Sequence, residues 1–146
     1  MAGRHFAAQP KDHRIGWKVA LVLWILFIWG HSLIDGPTSA GESLAFVDLV
    51  RPLLDLLGVT DLDLVHTLVR KGAHFTEYLV LGVLASKALR PRDLGRPGLT
   101  LPIACLWVAV PCIDEFIQLH VPERVGALTD VLIDMAGFVV GLFVLP

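Results

Sequence analysis

The sequence predicts an all-α membrane protein, a compact bundle of about four transmembrane helices with an interfacial amphipathic helix between the first and the second. Three observations predict it. Hydrophobic residues make up 55% of the 146 positions and the mean hydropathy is +0.68, more than a soluble domain of this length needs to fill its core. Four predominantly apolar stretches of about 20 residues recur along the chain, the length that a helix needs to cross a bilayer. The connections between them alternate between basic and acidic. Four such spans use more than half of the chain, so residues 1–146 form one domain with no separate soluble module.

The first span covers about 16–34, where WKVALVLWILFIWGHSLI has one lysine at its start and tryptophans at several levels, as interfacial anchors do. A signal peptide is the competing reading. The apolar stretch exceeds a usual signal core and SAGES follows Pro37, which favours a retained span. Gly36, Pro37, Gly41 and Pro52 punctuate the next segment, within which SLAFVDLVRPLLDLLGV sets Leu, Phe and Val at near-helical spacing. That spacing predicts a helix lying on the membrane surface over about 43–59, with Asp48, Arg51 and Asp55 on its wet face. An ordered loop is the alternative. Further spans are predicted at about 72–89, 99–119 and 125–145.

Charge sets the expected orientation. SKALRPRDLGRPG, between the second and third spans, has Lys87, Arg90, Arg92 and Arg96 against Asp93, and the amino-terminal tail has Arg4, Lys11, Arg14 and Lys18. Basic loops stay cytoplasmic. The loop after the first span is acidic, with Asp35, Glu42, Asp48, Asp55, Asp61 and Asp63 against Arg51. The expectation is a multi-pass protein of the cell membrane with both termini cytoplasmic. The 12 Lys+Arg and 14 Asp+Glu give a formal net charge of -2 without an extended basic stripe, which excludes nucleic acid as a partner. Cys105 and Cys112 lie seven positions apart, about 10 Å along a helix, beyond disulfide reach, and read as small core residues.

In this orientation the polar residues of the last three spans gather at the outer ends. RKGAHFTEY places Lys71, His74, Glu77 and Tyr78 on one broad face; CIDEFIQLH supplies Asp114, Glu115 and Gln118; the following turn supplies Glu123 and Arg124. TDVLIDMAGFVVG then sets Asp130, Asp134, Gly137 and Gly141 on one stripe, with the two glycines positioned for close helix contact. An ionised side chain facing lipid unpaired costs at least about 2.5 kcal/mol, so these groups must face one another or a water-filled cavity. One explanation is purely structural: Lys71, Arg124 and His74 neutralise Glu77, Asp114, Glu115, Asp130 and Asp134 in a network that fixes helix packing. Small apolar residues would hold a bundle together at a lower desolvation cost, which favours a functional reading.

The ordered blocks Lys71-x-x-His74-Phe75-x-Glu77-Tyr78, then Asp114-Glu115-x-x-Gln118, then Arg124, Asp130, Asp134 and Gly137, resemble the VanZ-like family over roughly residues 17–145. Two departures stand out. Asp134 occupies a position where that family usually has Asn, and Val125, Gly126 and Ala127 follow the arginine where a further acidic or polar residue is common. The extra carboxylate would alter affinity for a metal or a proton. The resemblance implies an integral membrane protein whose founding member is an accessory factor for resistance to teicoplanin, a glycopeptide with a fatty acyl tail. It carries no reaction with it, and a general envelope role fits it as well as antibiotic resistance does.

Three functions are expected in order. The first is an enzyme acting on a lipid or lipid-linked envelope molecule, with His74, Glu77, Asp114, Glu115 and Asp130 as catalytic candidates. Lys71, Tyr78, Gln118, Arg124 and Asp134 would then hold the substrate. A divalent cation held by His74, Glu77, Asp114 and Asp130 is a possible cofactor, although no recognised metal spacing such as HExxH is present. Ser32, Thr76 and Thr129 read as helix-interior or capping hydroxyls rather than nucleophiles. The second function is a binder of membrane lipids or a lipopeptide, and the third is a small proton-coupled carrier. Trp17, Trp24, Trp29 and Trp107 read as anchors and core, and His5, His13 and His66 as solvated.

Overall fold

The computed structural model describes residues 14–56, 58–89 and 100–144, and these form five helices: α1 (Arg14–Ser32), α2 (Gly36–Leu56), α3 (Leu62–Leu89), α4 (Leu101–Gln118) and α5 (Leu128–Val144). The all-α expectation holds. The tail residues Arg4, His5, Lys11 and His13 and the loop residues Arg90, Arg92, Asp93 and Arg96 lie outside the described residues, as do Leu57, Leu99 and Leu145.

Local chemistry places the helix starts. The carboxylate of Asp35 accepts the Thr38 N–H at 2.8 Å, which caps α2 and holds the Asp35 pKa below the ordinary carboxylate value. Asp61 caps α3 by accepting from Leu64 N–H at 3.0 Å. Helix α3 therefore begins ten residues before the predicted span. Its first turns carry too many polar groups to read as membrane, yet they keep helical periodicity, with Val65 buried and Leu62 and Val69 half-buried. Helix α2 likewise begins earlier than predicted and exposes Asp48, Arg51 and Asp55, as its wet face requires.

Among the described residues, only α1 and α4 are both long and apolar enough to cross a membrane, each with a mean hydropathy of 1.5 over eighteen residues. Just 17% of that stretch in α1 and 33% in α4 is buried inside the bundle, so their apolar side chains point outward. A helix at the core of a soluble protein would be mostly enclosed. Outward apolar faces of this kind and the composition indicate a membrane protein. Helix α5, at 17 residues, and α3, with its polar first half, do not meet the same measure. Cys105 and Cys112 correct an expectation: both are exposed on the outer face of α4 rather than in the core.

Contacts between named residues give the helix directions. Lys71 reaches Asp130 and His74 reaches Asp134, while Phe75 lies against Gly137 and Leu79 against Gly141, so α3 and α5 run parallel. Trp29 Nε1 donates to Val110 O and Ser32 Oγ donates to Asp114, so α1 and α4 are parallel too. Trp107 Nε1 donates to Met135 O while Ala127 N–H donates to Glu115, which makes α4 antiparallel to α5. One end of the bundle therefore collects the carboxyl-terminal ends of α1 and α4 and the first halves of α3 and α5. The polar blocks occupy that end; the remainder is an apolar core of Leu81, Ala85, Ile103, Phe138 and Leu142 with Leu21.

Helices α3 and α5 approach backbone to backbone. A Cβ added to Gly137 would collide with the Phe75 carbonyl oxygen, one on Gly141 with that of Leu79, and one on Gly82 with that of Phe138. The predicted roles of Gly137 and Gly141 are borne out, and Gly82 completes the contact from the opposite helix. Gly137→Ala is expected to lower stability by about 1–3 kcal/mol through this overlap. Gly30→Ala, whose Cβ meets nothing within 4 Å, should leave stability unchanged or raise it slightly. Reversible unfolding in mixed detergent micelles, followed by tryptophan fluorescence, checks both.

Candidate functional site

The close α3–α5 contact sets two ionic pairs one helical turn apart. Lys71 Nζ lies 2.7 Å from Asp130 Oδ1 and Arg70 lies 3.5 Å from the other oxygen of the same carboxylate. Asp130 also sits in the first turn of α5, where the helix dipole favours negative charge. One turn deeper, His74 Nδ1 is 3.3 Å from Asp134 Oδ1, without hydrogen-bond geometry. Asp134 is fully buried and neither of its oxygens has a hydrogen-bond partner among the described residues.

Helix α4 closes the other side. Asp114 is completely buried and accepts from the hydroxyls of Ser32 on α1 and Tyr78 on α3, the latter at 3.1 Å. Glu115 Oε2 accepts the Ala127 N–H at 2.7 Å, just ahead of α5, and its Oε1 is buried without a partner. One donor atom from each of His74, Asp114, Glu115 and Asp134 lies within 4.8 Å of the others. The divalent-cation set expected from sequence thus changes membership: Glu115 and Asp134 replace Glu77 and Asp130. Asp130 is occupied by Lys71 and Arg70. Glu77 lies about 100° around the helix from Tyr78, at 100° per residue, and so faces α1 instead of α4.

On that side Glu77 Oε1 is 3.4 Å from His31 Nδ1, and His31 Nε2 is 3.0 Å from Glu42 of α2. These groups line a cleft of about 640 Å³ between α1, α2 and α3. Its apolar part is formed by Trp24, Phe27, Phe46 and Val80, and its polar part by His31, Glu42, Arg70, His74, Glu77 and Arg124. Trp24, expected as core, lines the cleft while its indole donates to Glu77 O at 2.9 Å. Arg124 departs from the expected neutralising role: it donates to the Ser39 hydroxyl rather than to a carboxylate. Burial pulls its pKa below the ordinary arginine value, and the negative charge of Asp114 opposes that pull.

The family can now be settled. The profile of the VanZ/LLP1 family matches residues 17–146. The chain belongs to that family. Neither the comparison with curated proteins nor that with solved structures gives a match. In this VanZ/LLP1 chain the motif residues on α3, α4 and α5 converge, while Glu77 and Arg124 turn to the cleft and Gln118 is buried behind it with an unpartnered Nε2. His31, Ser39, Glu42 and Arg70 were not foreseen. His31 had a signal, since it lies at the carboxyl-terminal end of the first apolar run, at the end of the bundle where the other polar blocks gather. Ser39 and Glu42 had none, because α2 reads as a surface helix. His66, expected to be solvated, is half-buried on α3 with Nε2 enclosed. Thr76 Oγ1 bonds back to Gly72 O at 2.7 Å, the helix-interior role expected of it.

Asp114 is fully buried and depends on two hydroxyl donors, so each should be worth about 1–3 kcal/mol. Tyr78→Phe and Ser32→Ala are each expected to lower the unfolding free energy by that amount. Either loss should shrink markedly when Asp114→Asn is already present, and a double-mutant cycle on thermal unfolding measures that coupling.

Proposed function

We propose that this VanZ/LLP1 chain is a multi-pass protein of the cell membrane, with both termini cytoplasmic, that takes an amphiphile with an anionic head group into the α1–α2–α3 cleft. The class comprises a membrane lipid, a lipid-linked envelope precursor, or a lipoglycopeptide such as teicoplanin. The observation that carries this reading is a cleft lined by both aromatic and charged side chains. Trp24, Phe27, Phe46 and Val80 suit an acyl chain, and Arg70 and Arg124 suit a phosphate or carboxylate. Its volume, about 640 Å³, lies within the range of sites that enclose a drug-sized ligand. Parallel α1 and α4, antiparallel to parallel α3 and α5, suit an in–out–in–out–in path with the cleft at the extracytoplasmic end.

An enzymatic role is the form of this reading that the neighbouring acids favour, because His74 belongs both to the cleft wall and to the buried carboxylate cluster. A general base there would have its orienting partner in Asp134. A proton-coupled carrier fits less well, since the half of the described bundle away from the cleft is packed with Leu81, Ala85, Phe138 and Leu142.

Native mass spectrometry in nanodiscs holding a mixture of anionic and zwitterionic lipids tests the binding. One tightly held anionic lipid is expected per chain. Arg124→Ala should lower its retention about tenfold, from roughly 1.5 kcal/mol for a hydrogen bond to a charged group. Equal retention of zwitterionic lipid, or no effect of Arg124→Ala and Arg70→Ala together, would refute the cleft. Orientation is checked by a His120→Cys variant lacking Cys105 and Cys112, which should react with an impermeant reagent from the extracytoplasmic side alone; labelling from the cytoplasm would reverse the topology.

A further inference from the structure

The geometry points to a divalent-cation site formed by His74, Asp114, Glu115 and Asp134, behind the cleft wall and distinct from the head-group contacts. Four donors from three helices converge there, all four residues are buried, and the donor atoms lie within 4.8 Å of one another. Metal–ligand bonds of 2.0–2.2 Å allow opposite donors to be no more than about 4.4 Å apart. The widest pair thus lies a few tenths of an ångström beyond the spacing of opposite donors in a six-coordinate shell, whereas a tetrahedral shell, with donors about 3.4 Å apart, needs shifts of up to about 1 Å.

Unsatisfied atoms supply an independent reason. Asp134 is fully buried with Oδ2 unpartnered and Oδ1 facing only His74 Nδ1, without hydrogen-bond geometry, and Glu115 Oε1 is enclosed and unpartnered as well. Native interiors rarely leave such groups unpaired, since each costs about 1–3 kcal/mol or more when charged. The remaining oxygens are already oriented in the way that supports a metal shell: Ser32 and Tyr78 hold Asp114, and the Ala127 N–H holds Glu115 through Oε2 and leaves Oε1 turned elsewhere.

Charge counts in the same direction. Three ionised carboxylates around one imidazole outweigh the charge nearby: Lys71 and Arg70 are engaged by Asp130, and Arg124, which donates to the neutral Ser39 hydroxyl, offsets only one of the three. A divalent cation would neutralise that excess. Oxygen donors favour Mn2+ and the imidazole favours a first-row transition ion over Mg2+ or Ca2+, so the site takes Mn2+ or Zn2+. An ion reaches it from the cleft past His74, which belongs to both.

The test uses the full chain in nanodiscs, stripped with chelator and titrated with MnCl2 while free Mn2+ is followed by electron paramagnetic resonance. About one Mn2+ per chain is expected to bind, displaced by Zn2+ far more readily than by Mg2+. Asp134→Asn and Glu115→Gln should each weaken binding at least about tenfold, whereas Asp48→Asn, on the exposed face of α2, should not. Bound Mn2+ in the unaltered chain should show nitrogen hyperfine coupling, lost in His74→Gln and kept in His31→Gln. The coupling is read on the native protein, so a variant that misfolds does not remove the test. No saturable binding of Mn2+ or Zn2+, or binding indifferent to both carboxylate substitutions, overturns the site. That result would leave lipid retention in the cleft unaffected, because neither Arg70 nor Arg124 is among the four proposed ligands.

Discussion

The glycine contact between α3 and α5 is the constraint on which the other features depend. Gly137 and Gly141 on one helix and Gly82 on the other remove the side chains that would hold the backbones apart. Parallel helices in such contact keep a fixed register, and that register puts Lys71 against Asp130 and His74 against Asp134. A wider separation would leave the same residues facing a gap, with their charges uncompensated in a medium that tolerates this poorly. Dispersion between closely packed backbones does the work that hydrophobic burial does in water, since lipid offers α3 and α5 no hydrophobic reason to associate.

The register also divides the charges into two populations. Asp130 lies at the mouth of the bundle, in the first turn of α5, and has two cations and a helix dipole to balance it. Asp114, Glu115 and Asp134 lie deeper, beside a single imidazole; hydroxyls hold Asp114 and one backbone N–H holds Glu115, while Asp134 faces only the imidazole of His74. A network whose sole purpose was packing would pair each carboxylate with a cation, because an unpaired buried charge costs more than a good ion pair returns. The mouth follows that rule and the interior does not, which makes the interior the place to seek chemistry.

Helices α1 and α2 convert this cluster into a site with a neighbouring cleft. Helix α1 contributes Ser32 to the buried acids and His31 to the cleft, one residue apart and so on different faces of one turn. Helix α2 covers the mouth, and the N–H of Gly36 at its start donates to Pro122 O at 3.1 Å, with no room for a side chain against the Glu123 backbone. That contact ties the start of the covering helix to the turn that carries Arg124, so the cleft's cationic wall and its lid are positioned together.

Much of this was legible in the sequence because it depends on composition and period alone. Apolar runs of the right length, charge asymmetry between connections, and polar residues at a common depth need no tertiary information, and they pointed to the helical class and to Lys71, His74, Asp114, Glu115, Asp130 and Asp134, while the resemblance of the ordered motif blocks pointed to the family. Helical spacing also exposed the Gly137 and Gly141 stripe. What spacing does not contain is the rotation of each helix about its axis and the choice of neighbour. Glu77 shares a broad face with His74 yet turns to His31, because 100° per residue carries it past the edge that meets α4. Arg124 has five carboxylates within plausible reach in sequence terms and instead meets Ser39, from a helix that reads as mere surface. Cys105 and Cys112 are apolar enough for a core and lie on its outside, since lipid and core reward the same side chains and only the packing distinguishes them.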